Sequence, residues 1–173
     1  MLLVLATVVF GFMAIEARRA ARNERLQRAH GGIEPPSDVY AVMQADYPGA
    51  FVAMLVEAAF RATTPHPRTL IVGVFVFLLA KALKWWAILT LGPFWTFRVI
   101  VVPGATLVAS GPYRLLRHPN YVAVVGELVG VGLITGAFVA GPLATAAFGA
   151  LILKRVAVEE RALGRGPQMG RNV

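Results

Sequence analysis

Residues 120–154 form an apolar run of more than thirty residues, and this run constrains the fold more than any other feature of the chain. A single α-helix crosses the roughly 30 Å hydrocarbon core of a bilayer with about 20 residues, so the run is too long for one crossing. Gly136 and the Gly141-Pro142 pair interrupt it and are typical of helix ends and turns. The run therefore predicts two transmembrane helices joined by a tight hairpin.

Three further apolar segments, at residues 1–17, 47–61 and 69–91, predict additional spanning helices. A cleaved signal peptide explains the first segment less well, because a basic start and a clear cleavage site are missing. Only 15% of the residues are charged, whereas about 25% are charged in a typical soluble domain. We therefore predict an all-α integral membrane protein with five transmembrane helices.

One domain is expected over residues 1–173. Residues 1–61 would form two N-terminal helices with a basic cytoplasmic loop, residues 69–161 would form the core, and residues 164–173 would be a disordered tail.

Short basic clusters lie between the apolar segments and predict the orientation of the chain. Because cytoplasmic loops are enriched in Lys and Arg, the pattern predicts a multi-pass protein of the cell membrane with its N-terminus outside and its C-terminus in the cytoplasm. Lys81 and Lys84, close to two tryptophans, are expected to snorkel to the membrane interface. Such clustering is typical of membrane topology and argues against nucleic acid as the partner of this basic chain. The sequence has neither cysteine nor a cluster of metal ligands, so we expect no metal.

The densest polar and aromatic segment is residues 110–121, SGPYRLLRHPNY, which ends as the long apolar run begins. Pro119 suits the first turn of the following helix, and the free N–H groups of that turn favour an anionic ligand. Arg117 and His118 would add hydrogen-bond donors beside it. A basic anchor that only fixes the topology is the alternative interpretation.

A second polar group, Arg155-x-x-x-Glu159-Glu160, follows the last apolar segment. Arg155 and Glu159 share one helix face, so taken alone they are best explained as an intrahelical ion pair. The predicted topology, however, brings this group to the same cytoplasmic side as residues 110–121. The two polar groups are therefore expected to converge.

The fourth predicted span carries a carboxylate and three glycines. Glu127 is expected either to line a substrate cavity or to pair with a buried Lys or Arg, because a charge within a membrane is expensive. Gly126, Gly130 and Gly132 predict close packing against another helix.

Together these segments resemble the isoprenylcysteine carboxyl methyltransferase family over residues 106–160. The resemblance is carried by Thr106-Leu107-Val108, Ser110-Gly111, Tyr113, Arg117-His118-Pro119, Tyr121 and Arg155-x-x-x-Glu159-Glu160. Residues 85–88 and 95–100 are similar to a bacterial branch of the family. The resemblance implies a membrane-embedded methyltransferase whose core, residues 69–161, holds S-adenosylmethionine in a pocket on the cytoplasmic side.

The resemblance also implies roles for individual residues. Those that would bind the cofactor are Ala105, Thr106, Leu107, Val108, Tyr113, His118, Pro119, Asn120, Tyr121 and Glu159. Arg155 would position an anionic group of the acceptor and Glu160 is a candidate base, while Arg117 and Glu127 are candidates for the substrate cavity.

The expected acceptor is a small lipophilic compound methylated on a carboxylate, phenol or enol oxygen, such as an isoprenylcysteine-like molecule or an alkyl phenol or pyrone. Methyl transfer is an in-line displacement, so alignment matters more than acid–base chemistry. Two alternatives remain open. One is a sterol-type membrane reductase using NADPH, which carries a similar Arg-His-Pro-Asn-Tyr segment, and the other is a phospholipid N-methyltransferase.

Overall fold

The structure is a computed structural model that describes residues 1–35, 39–61 and 64–162. Five α-helices lie in this part of the chain: α1 (Leu2–Ala29), α2 (Tyr40–Arg61), α3 (Pro67–Leu91), α4 (Pro119–Thr135) and α5 (Ala140–Ala162). Two short 3-10 helices, Gly92–Phe94 and Gly111–Arg114, lie between α3 and α4. The all-α prediction is confirmed for these residues, whereas the predicted tail at 164–173 lies outside them.

Two helical segments of the described chain, Pro67–Phe94 and Ala140–Arg161, have the length and apolar composition that a membrane crossing needs. Helix α4 is apolar but has only 17 residues. The five spans and the orientation of the termini therefore remain predictions.

Helices α3 and α4 pack backbone against backbone through glycine. A Cβ atom on Gly130 would lie 2.8 Å from the backbone nitrogen of Phe77, and one on Gly73 would lie 2.8 Å from that of Ile134. Both distances are too short for any side chain, so the two helices approach as closely as glycine allows. The predicted packing role of Gly130 is confirmed.

Helices α4 and α5 are joined at residues 136–139. Gly136 has a φ of 66°, the left-handed conformation in which glycine commonly ends a helix. The Gly141-Pro142 pair does not form the break, because it lies in the first turn of α5, where proline gives up no hydrogen bond. The carboxylate of Glu57 on α2 accepts hydrogen bonds from the backbone N–H groups of Val139 and Ala140, at 3.2 and 2.6 Å, and so caps α5.

The predicted start of the second helix is wrong. Helix α2 begins at Tyr40 and continues through Pro48 rather than beginning there. Proline removes the hydrogen bond to the carbonyl of Gln44, four residues earlier.

Four charged side chains lie inside the helical bundle and form what we call the buried ion cluster: Glu16 on α1, Lys81 and Lys84 on α3, and Glu127 on α4. Lys84 Nζ lies 2.7 Å from Glu16 and 3.2 Å from Glu127, and Lys81 Nζ lies 2.9 Å from each. Tyr47 on α2 also donates a hydrogen bond to Glu127. The prediction that both lysines reach the interface is wrong, because two carboxylates neutralise them within the bundle.

Candidate functional site

The segment between α3 and α4 is anchored to α1. The side-chain amide of Asn23 donates to the carbonyls of Gly92 and Trp95, at 2.9 and 2.8 Å. Farther along the segment, Val101 pairs with Ile33 in an isolated antiparallel bridge. These contacts hold residues 92–102 as one wall of a cavity.

Tyr113 is placed by the short 3-10 helix Gly111–Arg114. A Cβ atom at Gly111 would lie 2.6 Å from Thr90 Oγ1, and its φ of 56° is a conformation that favours glycine, so this turn sits directly against α3. The Tyr113 hydroxyl is buried and has no hydrogen-bond partner among the described residues. Burial and the charge of Glu159 raise the pKa of Tyr113 above its usual value, so its hydroxyl remains a neutral donor.

The start of α4 meets the end of α5. The Tyr121 hydroxyl donates to Glu159 Oε2 at 2.9 Å, and the His118 ring stacks on the Tyr121 ring with 5.6 Å between centroids. The two nitrogens of His118 lie 3.7 Å from Glu159 and 3.5 Å from Glu160. The two polar groups that the sequence predicts to converge are therefore in contact.

Arg155 is buried beside this contact, with only 5% of its surface exposed. Its Nε donates to the Tyr121 hydroxyl at 3.3 Å, and its guanidinium also donates to the carbonyl of Phe97. These contacts fix the direction of the guanidinium.

A cavity of about 210 Å³, here called the smaller cavity, lies among these groups. Arg117, Arg155 and Glu160 line it. All the residues predicted to bind the cofactor line it too, namely Ala105, Thr106, Leu107, Val108, Tyr113, His118, Pro119, Asn120, Tyr121 and Glu159. Glu127 lies outside this lining, in the buried ion cluster.

A cavity of about 550 Å³, here called the larger cavity, lies between α1, α2 and the rest of the bundle. Apolar side chains such as Met13, Met43 and Phe148 line most of it, and Glu16 and Lys84 of the buried ion cluster also contribute. Sequence reasoning missed this cavity because no local pattern shows that α1 and α2 face the rest of the bundle across an open space.

Four residues line both cavities: Thr96, Asn120, Tyr121 and Arg155. We call them the shared wall. The more polar of the two cavities therefore meets the more apolar one at a tyrosine and an arginine. Within the described residues, no group of three or more His, Cys, Asp or Glu side chains is placed to hold a metal ion.

Comparison with known proteins gives one family match and two relatives. The model of the isoprenylcysteine carboxyl methyltransferase (ICMT) family matches residues 71–165, more than half of the chain. The uncharacterized protein YpbQ of Bacillus subtilis strain 168 is 29% identical over 150 residues, which cover 87% of this chain and 89% of YpbQ. An uncharacterized protein of Haemophilus influenzae is 22% identical over 148 residues, covering 82% and 83% of the two chains. No solved structure matches.

Proposed function

Because the chain belongs to the isoprenylcysteine carboxyl methyltransferase family, a family of membrane methyltransferases, we propose that it transfers a methyl group from S-adenosylmethionine to an oxygen atom of a small lipophilic acceptor. The observation that carries the proposal is the shared wall, at which the more polar cavity meets the more apolar one. A reaction between a charged cofactor and an oily acceptor needs two such compartments with one point of contact. The match to a methyltransferase family also favours this reaction over the reductase alternative.

The donors and acceptors around the smaller cavity suit the parts of S-adenosylmethionine. The first turn of α4 and His118 would hold the carboxylate of the cofactor, since helix N-termini favour anions. The hydroxyl of Tyr113, which has no partner among the described residues, would donate to the nucleoside part. The face of the Tyr121 ring suits the sulfonium cation, and the Glu159 carboxylate suits an amine or hydroxyl donor of the cofactor. When bound, the cofactor supplies an electrophilic methyl group.

The larger cavity would hold the acceptor. Its volume of about 550 Å³ lies within the range of about 300–1,000 Å³ that is usual for ligand pockets. Arg155 would pair with the reacting oxygen at the shared wall and stabilise its negative charge, while the apolar lining would exclude water. Alignment of the oxygen with the methyl group is then the main contribution of the protein.

This arrangement predicts opposite entry routes for the two ligands. The cofactor would enter from the cytoplasm at the exposed residues 104–107 and Arg117, and the acceptor would come from the bilayer. One domain over residues 1–173, crossing the membrane several times with its N-terminus outside, would provide both routes.

Calorimetry on the detergent-purified protein tests the proposal. We expect S-adenosylhomocysteine, the product form of the cofactor, to bind and NADPH not to bind. Binding of NADPH alone would instead favour the reductase alternative and would overturn the methyltransferase assignment.

Two variants separate the proposed roles. Glu159→Ala should weaken the affinity for S-adenosylhomocysteine, because it removes the carboxylate that lines the smaller cavity. Arg155→Lys keeps the charge but loses the planar donor fork, so it should lower turnover more than cofactor affinity. Unchanged turnover in Arg155→Lys would refute the positioning role of Arg155.

A further inference from the structure

We propose that the acceptor carries an ionisable hydroxyl group, a phenol or an enol, and that Tyr121 passes its proton from the larger cavity to Glu159. This inference rests on the proposed methyltransferase activity and specifies its acceptor. A carboxylate acceptor is already ionised at neutral pH, whereas a phenol with a pKa of about 10 must lose a proton during the reaction.

The shared wall offers one route for that proton. Thr96 donates its hydroxyl to the carbonyl of Arg98 at 2.6 Å, and Asn120 accepts from Trp95 Nε1 at 3.4 Å through an amide that does not titrate. Arg155 is always protonated. Tyr121 is the remaining member of the wall, and its hydroxyl contacts a carboxylate.

The hydrogen bonds of Tyr121 leave room for an acceptor. A phenolic hydroxyl offers one donor and two lone pairs. The donor goes to Glu159 at 2.9 Å and one lone pair accepts from Arg155 Nε at 3.3 Å. The second lone pair can accept a hydrogen bond from the O–H group of a molecule in the larger cavity.

The step is balanced. The acceptor oxygen forms a bond to the methyl carbon as the carbon–sulfur bond breaks, and the sulfonium becomes a neutral thioether. The acceptor proton moves to Tyr121 Oη while the proton of Tyr121 moves to Glu159. One proton then leaves for each methyl group transferred.

A path away from Glu159 leads through the smaller cavity. His118 lies 3.7 Å from Glu159 and 3.5 Å from Glu160, and 20% of its side chain is exposed. Arg117, which is largely exposed, lies 3.7 Å from Glu160. Tyr113 is the other titratable group close to Glu159. The side chain of Glu159 is itself 31% exposed, so the proton can reach solvent from Glu159.

The titratable groups that line the larger cavity interact with residues other than Tyr121. Those of α1, α2 and α3 that line the larger cavity are Glu16, Glu24, Tyr40, Tyr47 and Lys84. Three of them belong to or contact the buried ion cluster, and Glu24 forms ion pairs with Arg28 and Arg98. Tyr40 packs its ring against the guanidinium of Arg98, at 4.5 Å. The hydroxyl of Tyr121 therefore links the shared wall to Glu159, which acts as the base.

The test compares two acceptors in the wild type and in Tyr121→Phe. The acceptors are a long-chain 4-alkylphenol and its 2-nitro derivative, whose hydroxyl is largely ionised at pH 8. We expect Tyr121→Phe to lower kcat on the alkylphenol by about 10²–10⁴-fold, the usual range of general acid–base catalysis. Its kcat on the nitrophenol should fall by less than about tenfold, and the alkylphenol rate should recover as the pH rises towards 10.

Tyr113→Phe is the matched control, since it removes a buried hydroxyl from the smaller cavity alone. It should change the rates on both phenols by the same factor. Equal losses on the two phenols in Tyr121→Phe, or no loss on either, would overturn the relay.

Calorimetry with S-adenosylhomocysteine separates this inference from the proposed function. A wild-type protein that binds the ligand but methylates neither phenol overturns the hydroxyl acceptor and leaves the cofactor assignment intact. A protein that binds no S-adenosylhomocysteine overturns both.

Discussion

Lys84 on α3 and Glu16 on α1 form an ion pair of 2.7 Å in which the side chains are only 2% and 1% exposed. Lys81 and Glu127 complete a cluster with equal numbers of positive and negative charges. Charged groups within an apolar bundle are costly unless they are paired, so the cluster determines how α1, α3 and α4 sit together. It also lines part of the larger cavity and so links the packing of the helices to the site.

Removal of one cation from the cluster should strongly destabilise the protein. In Lys84→Met a long unbranched side chain is kept, but two carboxylates share one lysine. Breaking a buried ion pair on one side costs about 3–5 kcal/mol, and we expect a loss in that range in the free energy of unfolding. Equilibrium unfolding by denaturant in detergent measures it.

Lys154→Met is the control, because Lys154 is an exposed lysine on α5. Its stability should stay within about 0.5 kcal/mol of the wild type. Adding Glu16→Gln to Lys84→Met restores the charge balance and should recover part of the lost stability. If Lys84→Met unfolds at the same denaturant concentration as Lys154→Met, the cluster does not hold the helices together.

The polar half of the site could be predicted from the sequence. His118 and Tyr121 flank the first turn of an apolar helix, while Arg155 and Glu159 lie one turn apart at the end of another. Because the two helices form an antiparallel hairpin, the start of α4 and the end of α5 lie at the same end of the hairpin. Local patterns and a topology rule were therefore sufficient for this part.

The buried ion cluster and the larger cavity depend on packing, which the sequence does not show directly. Lys81 and Lys84 lie close to two tryptophans, and this pattern is typical of a membrane interface. Glu16 lies at the end of the first apolar segment, outside any motif. A usable signal was present: two carboxylates and two lysines lie in apolar segments, where charges usually pair.

Close packing of α3 on α4 makes a second prediction. In Gly130→Ala the new methyl group would meet the backbone of Phe77 at 2.8 Å, so the helices must move apart. Overpacking of this kind costs about 1–3 kcal/mol, and we expect a lower midpoint of thermal unfolding.

Gly149→Ala on α5 is the matched control, because nothing lies within 4 Å of a Cβ atom there. Alanine is a better helix former than glycine, so this variant should be stabilised by about 0.5–1 kcal/mol. Shifts of the same sign in the two variants would contradict the packing explanation.

Anchoring of the cavity wall to α1 makes a third prediction. Asn23→Leu keeps the number and branching of the side-chain heavy atoms but leaves the carbonyls of Gly92 and Trp95 without their donor. An unsatisfied buried acceptor costs about 1–3 kcal/mol, so we expect lower stability together with weaker binding of S-adenosylhomocysteine. Arg22→Leu, an exposed position on the same helix, should change the free energy of unfolding by less than about 0.5 kcal/mol.

The unpaired hydroxyl of Tyr113 makes the fourth prediction, and it concerns binding alone. If the hydroxyl donates to the cofactor, Tyr113→Phe loses one hydrogen bond worth about 0.5–1.5 kcal/mol, which corresponds to a roughly two- to tenfold weaker Kd for S-adenosylhomocysteine. The free protein should not lose stability, because the hydroxyl has no partner among the described residues. Arg114→Gln is the control: the residue is adjacent and exposed, and it lies outside the lining of both cavities. Calorimetry should give the wild-type Kd for Arg114→Gln, and a wild-type Kd for Tyr113→Phe as well would mean that the hydroxyl does not contact the cofactor.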